Sequence, residues 1–297
     1  MARRAFFSPT SLLPGSGWRQ LARLVRLPNL LLMVLCLSLV RAGLLSASVL
    51  NEQFLLLVLA ALCVAAAGYI INDYYDVKID AINRPGRLVV GQHVNRRQAM
   101  IAHLLLSGIG ILVAGGLSPL LGLVHVGSAL LLWGYSVRFK RVALVGNLSI
   151  GLLTAALVLL PELQLRSQQN SPWVYALAAF LLTIVREIVK DVDDMRGDAQ
   201  HDCRTLPIVW GVLRTKWVAA FFLLNLIVLV GGATYEALTT QRNWLGSWLL
   251  VGCVLPLLAL AYLLRRADRR RHFAQLSAWC KWIMLAGVLS MLLVTGR

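Results

Sequence analysis

Nine long apolar runs divide this 297-residue chain, and they constrain its fold more than any other feature. Each run is close to the roughly 20 residues that an α-helix needs to cross a bilayer. The runs cover residues 30–50, 54–71, 100–120, 121–135, 142–161, 172–189, 217–235, 245–264 and 276–295. Only 14% of the residues are charged, whereas about a quarter are charged in an ordinary soluble domain. The sequence therefore predicts an all-α, polytopic membrane protein with nine transmembrane helices in one bundle.

The third and fourth runs follow one another with only a short break. An unbroken helix of about 35 residues over this stretch would overshoot the hydrocarbon core of a bilayer. Glycine, serine and proline are frequent where helices stop, and such residues cluster here as Gly115, Gly116, Ser118 and Pro119. We therefore place the boundary between the third and fourth spans at Pro119.

The basic residues follow the predicted spans. With nine spans, 23 of the 29 Lys and Arg residues fall on the side of the N-terminus, and the opposite side carries Arg41, Arg166, Arg242 and Arg297. The positive-inside rule then predicts a cytoplasmic N-terminus and an outer C-terminus. The net charge of +16 could suggest a nucleic-acid partner, but the distribution of the basic residues indicates contact with membrane lipids instead. We expect one domain over residues 1–297, with a short cytoplasmic segment at 1–26.

Nine of the 13 acidic residues fall into two short segments, residues 73–80 and 187–202. Both segments contain three aspartates at positions i, i+3 and i+7, a spacing that puts them on one helix face. The sets are Asp73, Asp76 and Asp80 in the first segment and Asp191, Asp194 and Asp198 in the second. Carboxylates at the end of an apolar helix are costly, so such a cluster indicates a functional site.

The two aspartate sets match one another position by position at an offset of 118 residues. Both lie on the cytoplasmic side, after the second and sixth spans, and a polar, basic stretch follows each. This predicts an internal repeat, with halves at about 27–141 and 142–297. Parallel repeats are common in multi-span proteins and bring equivalent helix ends together.

Two facing sets of carboxylates would repel one another unless a cation lies between them. Mg²⁺ takes oxygen ligands and is usually held by one or two carboxylates together with substrate phosphates. Basic residues that could bind phosphate oxygens lie on the same side of the membrane, and they are Arg84, Arg87, Lys140, Lys190 and Arg204. The pattern predicts two Mg²⁺ ions with a diphosphate between them.

An apolar bundle beneath a metal-bound diphosphate suits a polyprenyl diphosphate. Its allylic C–O bond ionises once the charge of the leaving diphosphate is neutralised. The apolar surroundings would hold the isoprenoid tail and exclude water. Two other classes place carboxylates in membrane helices and stay open from the residues alone, namely CDP-alcohol phosphotransferases and cation transporters.

Residues 72–80, Asn-Asp-Tyr-Tyr-Asp-Val-Lys-Ile-Asp, resemble the first signature of the UbiA superfamily of intramembrane prenyltransferases, and residues 190–198 resemble its second. The segment 135–140 is similar to the tyrosine and lysine segment of that family. The resemblance implies a UbiA-like fold and a prenyltransferase. It also implies that Asn72, Asp76 and Asp80 bind one Mg²⁺ ion and that Asp194 and Asp198 bind a second. Asp191 would be a further ligand or a hydrogen-bond acceptor in contact with the ligands.

The resemblance also implies roles around the diphosphate and the reacting carbon. Arg84, Arg87 and Lys140 would neutralise the diphosphate, and Tyr135 would lie beside the reacting carbon. Residues 79–87 are similar to the branch of the family that contains geranylgeranylglycerol-phosphate geranylgeranyltransferases and chlorophyll synthases, more than to the 4-hydroxybenzoate branch. We therefore expect geranylgeranyl diphosphate as donor and a lipophilic acceptor such as geranylgeranylglycerol phosphate. Aromatic quinone precursors of the 4-hydroxybenzoate or naphthoate type, or a tetrapyrrole, are the alternative acceptors.

Overall fold

The computed structural model of the chain describes residues 16–83, 88–201 and 203–294, and side chains are described in these ranges except for Ser16 and residues 79–83. The described residues form helices and connecting loops without any β-sheet. A short helix, α1, covers Ser16–Leu24. The longer helices are α2 Leu27–Leu44, α3 Glu52–Asn83, α4 Arg96–Leu117, α5 Pro119–Val137, α6 Val145–Leu165, α7 Ser171–Ala199, α8 Leu206–Thr239, α9 Asn243–Arg266 and α10 Arg270–Leu293.

Helices α2 to α10 are each long and apolar enough to span a membrane, which confirms the predicted nine-span bundle within the described residues. The predicted boundary between the third and fourth spans is confirmed as well. Helix α4 ends at Leu117 and α5 begins at Pro119. Ser118 between them caps α5, since its Oγ accepts a hydrogen bond from the backbone N–H of Leu121 at 3.2 Å. Proline fits the first position of α5 because no intrahelical acceptor exists there for its missing N–H.

Two helices are longer than their apolar runs, and both carry an acidic segment. Helix α3 has 32 residues and α7 has 29, so at 1.5 Å per residue they measure about 48 and 44 Å. The hydrocarbon core is only about 30 Å thick. Both helices are therefore longer than a straight crossing of this core requires, and each carries its acidic segment at its C-terminal end.

Helix α8 begins well before the apolar run that predicted it. The run starts at residue 217, whereas the helix starts at Leu206 and is interrupted at Gly211, where φ is 77° and ψ is 159°. A positive φ is easily adopted by glycine, which has no Cβ. The chain therefore turns at Gly211 before the membrane-spanning part of α8.

Helices α3 and α7 are central to the packing of the bundle. Helix α3 packs on α4 and α5, and α7 packs on α6, α8 and α10, while α3 and α7 also touch one another. Helices in a membrane gain little from the hydrophobic effect and depend on close packing of small residues. Gly110 of α4 is such a residue, because a Cβ there would lie 2.8 Å from the carbonyl oxygen of Ala60 in α3.

One buried arginine joins the helix ends that lie opposite the acidic segments. Arg41 is 5% exposed. Its Nε donates to the carbonyl oxygen of Ser48 at 3.0 Å and its Nη1 to Oε1 of Gln164 at 2.8 Å, and the guanidinium lies over the ring of Phe54. Arg41 thus connects the ends of α2, α3 and α6.

Candidate active site

The first acidic segment lies on α3, and its central aspartate is held from two sides. Asn72 Nδ2 donates to Oδ2 of Asp76 at 2.9 Å from one turn earlier on the same helix. Lys140 Nζ donates to Oδ1 of Asp76 and forms an ion pair with it. Lys140 comes from the short 3₁₀ turn Phe139–Arg141 that follows α5. Both side chains of the pair are largely buried.

Asp73, the first aspartate of this segment, has a different partner. Arg26 Nη2 forms an ion pair with Oδ1 of Asp73 at 2.9 Å, and its guanidinium lies 4.9 Å from the ring centre of Tyr69. Arg26 precedes α2 and has a left-handed backbone conformation. Asp73 is thus tied to the start of α2, whereas Asp76 is tied to the loop after α5.

The second acidic segment lies on α7, and its first aspartate is bound by a neighbouring helix. Asn147 Nδ2 of α6 donates to Oδ2 of Asp191 at 2.8 Å. Lys190 Nζ donates to Oε2 of Glu187 at 3.0 Å, so in this structure it lies against a carboxylate. Asp193, which breaks the i, i+3, i+7 spacing, pairs with Arg270 Nε at 2.9 Å and leaves the aspartate face.

The two acidic segments converge at one end of the bundle, hereafter the acidic end. Asp198 of α7 interacts electrostatically with Asp194 on its own helix and with Asp76 and Lys140 across the gap. Tyr135 of α5 lies near Glu187 and Asp191 of α7 and near Asp76 of α3. Since α3 and α7 also pack directly on one another, one mouth contains carboxylates from both helices.

Several predicted residues lie at the margin of this mouth or outside the described residues. The side chain of Asp80, and Arg84 and Arg87 entirely, belong to the part of the chain outside the described residues. Arg204 has an exposed side chain, and its backbone N–H donates to the carbonyl oxygen of Arg141 at 2.9 Å. The loop after α7 is therefore attached to the loop that carries Lys140.

Asn147 is a site residue that was not predicted, although the sequence contains a signal for it. Asn147 follows Asn29 by 118 residues, the same offset that relates the two aspartate sets. Arg26 and Leu144, which precede α2 and α6 at this offset, both have positive φ values. The offset of the predicted repeat therefore also relates Asn29 to Asn147 and Arg26 to Leu144. Asn29 lines an apolar cavity inside the bundle, whereas Asn147 binds Asp191.

The donor set of this mouth fits magnesium. Carboxylate and amide oxygens are the hard ligands that Mg²⁺ prefers, and Mg²⁺ needs only one or two protein carboxylates when phosphates and waters complete its shell. Within the described side chains no group of three acidic, His or Cys ligands is already assembled around one point. The candidate ligands with described side chains are Asn72, Asp76, Asp191, Asp194 and Asp198.

A largely apolar cavity of about 460 Å³ lies inside the bundle. Towards the acidic end its wall includes Asn29, Tyr69 and Arg186, and towards the opposite end it includes Tyr175. The Tyr175 hydroxyl forms a hydrogen bond with Ser290 at 2.8 Å and fixes the ring there. Arg186 and Tyr175 are eleven residues apart on α7, which corresponds to about 16 Å along the helix axis.

The fold and this site define a class of intramembrane enzyme. Residues 29–289 match the model of the UbiA prenyltransferase family, and the chain belongs to that family. This membership favours prenyl transfer over the phosphotransferase and transporter alternatives.

Curated relatives are named digeranylgeranylglyceryl phosphate synthase. The protein of that name from Methanothermobacter thermautotrophicus is 39% identical over 158 residues, which are 53% of this chain and 56% of the relative. That from Methanospirillum hungatei is 32% identical over 220 residues, which are 72% of this chain and 76% of the relative. The match therefore spans little more than half of the first relative and about three quarters of the second.

Solved structures share the fold at low sequence identity. A structure from a study of digeranylgeranylglyceryl phosphate synthase in membranes has a TM-score of 0.72 and 22% identity, covering 93% of this chain and 98% of that one. A UbiA homolog from Archaeoglobus fulgidus bound to GPP and Mg²⁺ has a TM-score of 0.62 and 16% identity, covering 92% and 99%.

Proposed function

We propose that this protein transfers a prenyl group, with geranylgeranyl as the expected one, from its diphosphate to a glycerol-phosphate lipid. One observation carries the proposal: Asp76, Lys140 and Asp198 interact at a single mouth, and an apolar cavity lies in the same bundle. The solved relatives with GPP or DMAPP and Mg²⁺ support a prenyl diphosphate donor. The names of the curated relatives support the acceptor.

The metal ions would supply charge neutralisation of the leaving diphosphate when bound. In this proposal Asn72, Asp76 and Asp80 hold one Mg²⁺ ion. Asp194 and Asp198 hold a second ion, and Asp191 is a further ligand or a hydrogen-bond acceptor in contact with the ligands. The hydrogen bond from Asn147 to Asp191 would orient that carboxylate. Residues that hydrogen-bond to metal ligands commonly have this effect.

The protein's cations would act on the same phosphate oxygens. Lys140, which pairs with Asp76 in this structure, would donate to the diphosphate once Asp76 turns to a metal ion. Arg84, Arg87, Arg204 and Lys190 are the other proposed phosphate-binding groups, and Arg can donate two parallel hydrogen bonds to phosphate. Each such contact becomes stronger as negative charge develops on the leaving group.

The bond changes follow from the two substrates. The allylic C–O bond of the donor breaks, and its electron pair leaves with the diphosphate. The acceptor hydroxyl oxygen then forms a C–O bond to the same carbon, and its proton passes to the departing diphosphate. Tyr135, which lies near carboxylates of both acidic segments, would lie beside the positively charged carbon. The apolar cavity would keep water from it.

A pair of neighbouring aspartates provides a matched test. Asp194→Asn should abolish transfer from radiolabelled geranylgeranyl diphosphate to a glycerol-phosphate ether lipid in the presence of Mg²⁺. Asp193→Asn should retain activity, because Asp193 points to Arg270. The same assay with 4-hydroxybenzoate tests the acceptor class. Full activity of Asp194→Asn would contradict the two-metal site, and labelling of the aromatic acid alone would contradict the lipid acceptor.

Membrane orientation is part of the proposal. We propose that the acidic end faces the cytoplasm, because 23 of the 29 basic residues fall on its side. A reactive cysteine introduced at Arg271, on the acidic-end side of α10, should react with an impermeant maleimide only after the cytoplasmic face is exposed. Labelling of this cysteine in intact cells, which expose only the outer face of the membrane, would contradict the proposed orientation.

A further inference from the structure

Two basic residues lie in the middle of membrane-spanning helices, outside the acidic mouth. Lys281 is at the centre of α10 (Arg270–Leu293), about 16 Å along the axis from Arg270. Arg186 is near the centre of α7 (Ser171–Ala199), about 20 Å from Ala199. Charges at such depth are costly and indicate function by default.

Arg186 and Lys281 line the same cavity. Helices α7 and α10 hold them there, since Ile184 and Ile188 pack in one core with Cys280 and Ile283. Among the described residues that line the cavity, none is acidic. The wall therefore contributes two cationic groups and no anionic one.

Arg186 has hydrogen-bonding capacity left over. Its Nη1 pairs with Oε1 of Glu187, while its Nε is buried without a hydrogen-bond partner. A guanidinium has five N–H donors. Glu187 also accepts from Lys190, so one carboxylate serves two cations. The Arg186 side chain is 22% exposed and lines the cavity, so its other N–H groups can donate to an anionic ligand bound there.

The position of Arg186 separates this pair from the diphosphate site. Arg186 precedes Asp191 by five residues, or about 8 Å along α7, and it lies further still from Asp194 and Asp198. A group bound there would lie below the aspartates, inside the cavity. In a glycerol phosphate the phosphate is only a few bonds from the hydroxyl that would attack the donor carbon.

We infer that Arg186 and Lys281 bind the phosphate monoester of the acceptor and so hold its hydroxyl below the donor diphosphate. This inference rests on the proposed function. The bound chemistry is a phosphate monoester, which a lipid or a free phosphate could supply. The cavity wall is otherwise largely apolar, so we commit to the lipid.

A binding experiment on the purified full chain tests the inference without any turnover. The probe is a long-chain 1-O-alkylglycerol phosphate, measured by equilibrium binding in detergent without donor. Lys281→Gln should raise its Kd about tenfold or more, because a charge-assisted hydrogen bond is lost. Lys281→Arg should retain most of the affinity. Arg271→Gln, which removes a cation from the acidic-end terminus of the same helix, is the matched control and should not change it.

Two further arms identify the ligand. The neutral alkylglycerol should bind the parent and Lys281→Gln equally. Inorganic phosphate at the same concentration should not displace the lipid, and displacement would assign the site to free phosphate and overturn the inference. An unchanged Kd in Lys281→Gln, or an equal loss for the neutral lipid, would also overturn it.

Kinetics separate this inference from the proposed function. In steady state, Lys281→Gln should raise KM for the acceptor and leave KM for the donor unchanged. A parent protein that prenylates no acceptor contradicts the proposed function, while the binding result stands by itself. A parent that is active together with a Lys281→Gln variant of unchanged acceptor affinity contradicts only the inference.

Discussion

The ion pair between Lys140 and Asp76 joins two residues 64 positions apart. Removing both charges together should restore the free energy of unfolding that a single substitution loses, but it should not restore enzymatic activity. The side chains are 10% and 13% exposed. Removing one partner of a buried pair usually costs about 3–5 kcal/mol, because the other charge stays buried without compensation. We expect about 3 kcal/mol for Lys140→Gln, at the low end, because Asn72 still donates to Asp76.

The double variant Asp76→Asn/Lys140→Gln should be more stable than the sum of the single losses. It removes both charges, so no uncompensated charge stays buried, and the amides of Asn and Gln can still hydrogen-bond to one another. We expect its unfolding free energy to lie within about 1 kcal/mol of the parent's. Activity should not return, since both the proposed metal ligand and the proposed phosphate donor are missing.

The assay compares unfolding of the detergent-purified parent, the two single variants and the double variant with prenyl transfer by the same samples. The exposed pair of Arg270 and Asp193 provides a control, and breaking it should cost less than about 1 kcal/mol. Losses that simply add in the double variant would refute the coupling. Transfer activity in the double variant would refute the proposed roles of both residues.

Three further predictions use other parts of the bundle. Asn147→Leu removes the hydrogen bond to Asp191 and should lower kcat/KM by about 10–100-fold with unchanged membrane insertion. Gly110→Ala should lower the unfolding temperature, because its Cβ would meet a backbone carbonyl of α3 at 2.8 Å, whereas Gly108→Ala, with open space around it, should stabilise by up to about 1 kcal/mol. Ala179→Phe adds bulk to the cavity wall and should reduce kcat/KM for geranylgeranyl diphosphate more than for geranyl diphosphate; equal reductions would show that the tail does not reach this wall.

The membrane-spanning architecture follows from local features of the sequence. Length and hydropathy of each run are local properties, because a helix satisfies its own backbone hydrogen bonds in the bilayer. The break at Pro119 was equally local. The spacing of Asp76 and Asp80, and of Asp194 and Asp198, fixed which residues share a helix face, since helical periodicity follows from the backbone alone.

Helix ends were predicted less well than helix positions. The acidic ends of α3 and α7 are polar, so hydropathy did not include them although the helices continue through them. The first turns of α8, which precede and include the bend at Gly211, were likewise not part of the predicted span. Hydropathy identifies the part of a helix in contact with lipid, whereas the helix itself ends where its backbone conformation changes.

The partner of each charged group, in contrast, depends on how the helices pack together. Lys140 binds Asp76, Arg26 binds Asp73 and Asn147 binds Asp191, and each pair joins residues more than 40 positions apart. The same holds for Arg186 and Lys281, which line one cavity although α7 and α10 are distant in sequence. Charges interact through distances in space, and the packing of α3, α5, α6, α7 and α10 sets those distances.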